Sequence, residues 1–219
     1  MSSVDYVTSD APKRLSRGEA KARTRELLLE AAASTFARKG FHGASVEAIA
    51  EAAGFSIGAL YANFAGKEQL FLELLSSRAS GQVLAAAEIL HDDDVTAGDP
   101  ADALGRFLVD LADKDTDFSL LQAEFWLYAA RNPGVRDTLA ERMREPRELL
   151  ARLVEERRGE PEAPVPPSTV ATVVLALFQG LVRQRRIDQG SVPPELFGQA
   201  LRWLFAGLDE ETRQRRDQS

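Results

Sequence analysis

The sequence predicts an all-α chain: an N-terminal three-helix domain built around a helix-turn-helix, followed by a C-terminal antiparallel helical domain. Two observations carry this. Apolar residues recur at i, i+3 and i+4 along most of the 219 residues, without a convincing run of alternating β-branched residues. Between Ser45 and Phe64 two short helical segments flank Gly54, the arrangement of two helices joined by a tight turn.

The first helix is expected from about Gly18 to Lys39, with Leu28, Ala32 and Phe36 on one stripe and Gly40 ending it. Ser45 can cap the second helix, because its side-chain oxygen can accept from an otherwise orphan backbone N–H. Val46, Ile49 and Ala50 form that helix's buried face. Ala50 is small where another helix must cross, and Gly54 stands where the turn needs a positive φ. Ser56 then caps a third helix, anchored by Leu60 and Phe64. Its remaining surface is Ile57, Gly58, Ala59, Tyr61 and Asn63, small enough to approach base edges and phosphates closely.

A fourth helix is expected from Lys67 to Leu90, long enough to link the two parts mechanically. The run His91-Asp92-Asp93-Asp94 reads as a solvated loop, with metal binding the less favoured alternative. Further helices are expected over Ala101–Ala112, Phe118–Arg131, Val135–Arg158, Ser168–Asp188 and Pro194–Arg215. Pro133-Gly134 and Gly159–Pro167 separate them, and Pro146 should kink or divide the third. The expected organisation is a flexible tail over 1–12, a DNA-binding domain over 13–66 and a helical regulatory domain over 67–219.

Charge is divided unevenly along the chain. From Ala11 to Lys67 there are nine Lys or Arg against five acids, a surplus of four; with a net charge of −7, the remainder carries −11. A basic head on an acidic body directs a polyanion toward one end of the molecule. Lys13, Arg14, Arg17, Lys21, Arg23 and Arg25 can act as an arm along phosphates or in the minor groove; for the residues before Arg17 a solvated tail is an equal alternative.

These residues carry a resemblance to the TetR family of bacterial transcriptional regulators. It covers about Arg23 to Phe71: Arg25-Glu26-Leu27-Leu28-Leu29-Glu30-Ala31-Ala32, Phe36-Ala37-Arg38-Lys39-Gly40-Phe41, Ser45-Val46, Ile49-Ala50, Ala53-Gly54-Phe55-Ser56, Gly58-Ala59-Leu60-Tyr61, Phe64 and Lys67-Glu68-Gln69-Leu70. The resemblance implies that Ser45, Tyr61 and Lys67 contact phosphates and that the helix from Ser56 to Asn63 reads bases. Two departures stand out. Ile57 replaces the family's frequent Lys or Arg and can pack on a thymine methyl; Asn63 replaces a frequent His and can bond a phosphate or an adenine edge.

The body offers two candidate surfaces. Phe118, Leu121, Phe125 and Trp126 fall at helical spacing, with Phe107, Tyr128 and Met143 nearby; such stripes are core more often than ligand box. The resemblance favours a pocket, since family members generally bind small molecules in this half. An aromatic lining suits a largely apolar effector, oriented by Gln122, Tyr128 and Gln179. The last two helices carry Val170, Val174, Leu177, Phe178 and Leu181, then Leu196, Phe197, Ala200, Leu201, Trp203, Leu204, Phe205 and Leu208. That is more apolar than one face needs, and it predicts a homodimer through a four-helix bundle, as the resemblance also implies.

Other functions find little support. There is no cysteine and only two histidines, so a thiolate nucleophile and a multi-histidine metal site are excluded, and no cofactor is expected. No paired carboxylates stand out for acid–base work, and no Gly-rich phosphate loop joins strand to helix. The uncharged run from Ala163 to Val182 reads as a buried helix, because three prolines open it and polar residues interrupt it. No secretory signal is expected at Met1–Asp10, which suits a cytoplasmic protein. The expectation is therefore a DNA-binding, effector-released repressor of a palindromic operator; the alternative is a helical adaptor that does not touch DNA.

Overall fold

A computed structural model describes residues 16–91, 99–114, 116–158 and 164–217, with backbone alone at 116–118. The expected tail, Lys13, Arg14 and the acidic run at 92–94 lie outside the described residues. Ten α-helices follow in order among them: α1 (Arg17–Gly43), α2 (Val46–Ala52), α3 (Ile57–Tyr61), α4 (Lys67–His91), α5 (Pro100–Lys114), α6 (Thr116–Arg131), α7 (Pro133–Arg142), α8 (Arg144–Arg158), α9 (Pro167–Ile187) and α10 (Glu195–Asp217). Among the described residues there is no strand, and no helix is long and apolar enough to cross a membrane.

Local chemistry sets the helix ends. Ser16 opens α1 with a capping box: its N–H donates to Glu19 Oε2 at 2.7 Å, and the Glu19 N–H donates to Ser16 Oγ at 3.2 Å. The bond from the Ser16 backbone, then that with its hydroxyl, holds the Glu19 carboxyl below its ordinary value. Regular α1 geometry stops at Gly40, whose φ of 69° only glycine adopts freely. Pro133 and Pro167 each begin a helix, where a missing N–H is no loss; the break expected at Pro133-Gly134 falls at Asn132, and the proline opens α7.

Pro146 divides the expected Val135–Arg158 helix. It cannot donate to the Arg142 carbonyl and its ring would clash there; the chain breaks at Met143 and restarts, which places Pro146 in the first turn of α8.

The packing does not separate at residue 66. One apolar cluster joins Leu28, Phe36 and Phe41 of the α1 segment, Ile49 of α2, Leu60 of α3 and Phe71 of α4 with Leu121, Phe125 and Ala129 of α6. The first half of α4 and one face of α6 therefore complete the core of the head. Two further clusters fill the body, where α8 and α9 pack together and α10 crosses α5.

That last crossing is backbone against backbone. A Cβ on Gly105 would strike the Pro194 carbonyl oxygen, and one on Gly198 the Ala101 carbonyl. Gly198→Ala should cost about 1–3 kcal/mol or more by overpacking, read as a lowered denaturation midpoint. An unchanged midpoint would show that α5 and α10 can separate freely.

Candidate DNA-binding face and ligand cavity

Both expected caps of the helix-turn-helix form. Ser45 Oγ accepts from the Ala48 N–H at 3.2 Å, and Ser56 Oγ accepts from the Ala59 N–H at 3.1 Å. Gly54 has φ 74°; its N–H donates to Glu51 O at 3.0 Å and the Phe55 N–H to Ala50 O at 2.9 Å, which together close α2. The turn holds α3 against α2 through buried Ile49, Ala50 and Leu60.

What remains outside is the expected reading surface. Ser45, Ser56 and Gly58 are exposed and Ala59 is half-buried, while Ile57 and Tyr61 are 43% and 53% exposed despite their size. Arg17 is exposed at the start of α1. An apolar side chain and a phenol held in water on a rigid turn are available to a partner, and the exposed cations of α1 favour an anionic one.

Three residues expected to contact DNA also make bonds within the head. Arg25 donates through Nε to Glu73 Oε1 at 2.8 Å, through Nη2 to Glu73 Oε2, and through Nη1 to Asn63 O at 2.7 Å, with its guanidinium 4.2 Å from the Phe64 ring centre. It fastens α1 to α4 and to the end of the reading helix. The Asn63 side chain turns inward, donating from Nδ2 to Ala59 O at 2.8 Å, and α3 ends at Tyr61, two residues short of the expected Asn63. Lys67 Nζ donates to the carbonyls of Phe41, Ala44 and His42 at 3.1, 3.2 and 3.4 Å. A cation so placed satisfies carbonyls that the break at Gly40 would otherwise orphan.

Lys67→Met should therefore lower the stability of the head by about 1.5–3 kcal/mol, the scale of hydrogen bonds to a charged group. The salt slope of any DNA binding should stay unchanged. A slope shallower by about 1, with stability intact, would restore the phosphate role that the resemblance implies.

The body holds a cavity of about 480 Å³ between α4, α5, α6, α8, α9 and α10. Of the expected pocket residues, Phe107, Gln122, Trp126, Met143 and Gln179 line it. Leu121, Phe125 and Tyr128 do not; the side chain of Phe118 lies outside the described residues. The reason is helical phase. Ser119, Leu120, Gln122, Ala123 and Trp126 share the cavity face of α6, whereas Leu121, Phe125 and Tyr128 point to the head. There Phe125 stacks on Phe71 at 4.3 Å and meets Phe41 edge-on at 4.9 Å. The Tyr128 hydroxyl lies 3.4 Å from Glu68, and burial, then the Glu68 charge, push its pKa up.

The same face of α6 carries a residue that the sequence reading missed. Glu124 accepts from the Phe41 and His42 N–H groups at 3.0 and 3.1 Å, beside Gly40. A Cβ at position 40 would sit 3.0 Å from Glu124 Oε2, so the glycine meets both a positive φ and a close neighbour. Only the juxtaposition of residues more than eighty positions apart reveals this clamp.

The expected dimer residues mostly face inward. Val174, Phe178 and Phe197 line the cavity, Val170 is buried in a body core, and Leu177, Leu181, Leu196 and Leu204 pack against the body cores. Ala200 is half-buried, and Trp203 alone of this set is largely exposed, at 63%. The uncovered face instead presents Val173, Ala176 and Gly180 of α9 with Trp203, Ala206 and Gly207 of α10. A Cβ on Gly180 or Gly207 would meet nothing within 4 Å, so this chain's own packing does not require either glycine. The most apolar stripe of a helix goes into its own core, and the face left over is one of small residues.

A paired-helix head, fused through shared packing to a helical body with one large apolar cavity, has the architecture of a helix-turn-helix regulator. Residues 28–74 match the family described as bacterial regulatory proteins, tetR family, and residues 95–208 match the tetracyclin repressor-like C-terminal domain. The transcriptional regulator UidR of Escherichia coli K12 is 26% identical over 191 residues, spanning 84% of this chain and 92% of that protein. Among solved structures, Salmonella enterica GusR superposes with a TM-score of 0.61 at 25% identity, covering 85% of this chain and 95% of that one. The multidrug binding protein EbrR, complexed with ethidium, gives 0.57 at 26% identity, covering 83% and 97%. The chain belongs to the TetR family and is a transcriptional regulator, which displaces the adaptor alternative and any enzymatic role.

Proposed function

We propose that this regulator is a cytoplasmic homodimeric repressor. In each protomer α2 and α3 enter the major groove of a palindromic operator, and a small, largely apolar effector in the cavity lowers operator affinity. Residues 13–66 are then the DNA-binding part and 67–219 the regulatory part, with α4 and α6 serving both.

The observation that carries this reading is the double role of α6. One face lines the cavity; the other holds the head through Phe125 and the Glu124 clamp. A ligand that repositions α6 must therefore repack the head. Release requires that the effector bind the DNA-incompetent arrangement more tightly than the competent one. A coupling of about 1–3 kcal/mol would weaken the operator roughly 5- to 150-fold.

Dimerisation is read from the outward face of α9 and α10. Ala176 and Gly180 on one helix and Ala206 and Gly207 on the other allow close approach of a second copy, with Val173 and Trp203 supplying apolar area. Two heads roughly 34–36 Å apart engage successive major grooves. On DNA, Arg17, Ser45 and Tyr61 take phosphates, while Ser56, Ile57, Gly58 and Ala59 face the bases.

Selection of bound duplexes from a random pool tests this reading. Enrichment of a palindrome with half-sites about one helical turn apart is expected. Binding without enrichment, or enrichment of an asymmetric single site, would contradict it.

A further inference from the structure

The reading helix is defined as much by the side chains it lacks as by those it carries. Residues 54–62 contain no Arg, Lys, Asn, Gln, Asp or Glu. The groups that choose a base through paired hydrogen bonds, Arg or Lys on guanine and Asn or Gln on adenine, are therefore missing from the turn and from α3. Asn63 is the next candidate along the chain. Its side chain turns inward, with Nδ2 donating to Ala59 O at 2.8 Å and Oδ1 buried.

What α3 presents instead is hydroxyl and hydrocarbon. Ser56 Oγ already accepts from the Ala59 N–H at 3.1 Å, which leaves it one proton to donate, and Tyr61 likewise ends in a single hydroxyl. Single hydroxyls bond several bases and phosphates alike, so they position the helix more than they select a sequence. Ile57, the first residue of α3, is a branched hydrocarbon side chain left 43% exposed.

Gly58 lets that side chain come close to a partner. With Leu60 buried, position 58 lies on the opposite side of the helix, and Ile57 and Tyr61, at i and i+4, share one flank beside it. The φ of Gly58 is negative, and a Cβ there would meet only Ser56 Oγ, at 3.8 Å. Neither its backbone nor its packing calls for glycine, and glycine weakens a helix. The missing Cβ has a use when another surface approaches the helix closely, as the floor of a major groove does.

We propose that α3 reads thymine through its 5-methyl group, with Ile57 making the contact, so that the half-sites are selected in the major groove by methyl burial and not by paired hydrogen bonds. This rests on the reading of α2 and α3 as the pair that enters the groove, and narrows that reading to a base. Thymine alone among the four bases places a hydrocarbon group on the groove floor.

In the test, deoxyuridine replaces thymidine at one symmetric pair of positions at a time in the duplex selected from the random pool. The full-length protein is titrated with each duplex by fluorescence anisotropy. Uracil lacks the methyl group and leaves base pairing and the minor groove unchanged. At one thymine per half-site or more, binding should weaken about fourfold for each methyl lost, roughly fifteenfold for the pair. In Ile57→Ala the thymine duplex should bind less tightly, the thymine-to-uracil ratio should fall to near one, and thermal unfolding should be unchanged. Because a methyl contact releases no counterion, the ratio in the parent protein should hold as salt is raised, although both affinities fall.

Equal affinity for the thymine duplex and every uracil duplex would overturn the proposal and leave the regulator reading standing, since the palindrome would still be bound. A uracil effect that survives undiminished in Ile57→Ala would also overturn it, by giving the methyl to another residue. Selection of no palindrome would remove the groove-entering reading and this inference with it.

Discussion

Phe125→Ala should destabilise the protein by about 3–5 kcal/mol, a third or more of the 5–15 kcal/mol that ordinarily holds a domain together. The ring is fully buried between Phe71 and Phe41, at the point where α6, α4 and the end of α1 meet. Removing it leaves a void that three different helices would have to close. Chemical denaturation reads the loss directly. The variant also separates two assignments of the same residue. Placed in the ligand pocket, as its aromatic spacing suggests, Phe125 would affect ligand affinity by direct contact; placed at the joint between head and body, its loss is read first in the stability of the ligand-free protein.

Ile57→Glu should reduce operator affinity on the order of a hundredfold or more, since juxtaposed like charges cost several kcal/mol and the proposed dimer would carry two of them. Ile57 is the first residue of α3 and is exposed, so folding should change by no more than about 0.5 kcal/mol. Fluorescence anisotropy on the selected duplex measures the first effect and thermal unfolding the second. Undiminished affinity would place the reading surface elsewhere on the molecule.

The head was legible in the sequence where its structure is local. Ser45, Gly54 and Ser56 act within a few residues of themselves, and the caps and turn they predict form as expected. The division near Pro146 was legible for the same reason, because a proline's effect falls on its own helical turn. Side-chain allegiance was harder to read. Charge suggests Arg25, and the resemblance Lys67, as phosphate ligands; their internal partners, Glu73 and the carbonyls after Gly40, come from segments 23 to 48 residues away and could not be read locally.

Helical phase limited the rest. Phe125 and Trp126 are adjacent in sequence and about 100° apart around α6, so one belongs to the head and the other to the cavity. Phase also sorts α9, where Val174 and Phe178 face the cavity while Ala176 and Gly180 are exposed. Hydrophobicity alone cannot tell a core stripe from an interface stripe.

The central claim is that a symmetric pair of these heads grips duplex DNA. Titration of the selected duplex at two salt concentrations, with the mass of the complex measured alongside, tests it most directly. The account predicts two chains per palindrome and an affinity that falls linearly in log–log terms with added salt, as counterions leave several phosphates. One chain per duplex, or an affinity indifferent to salt, would contradict it.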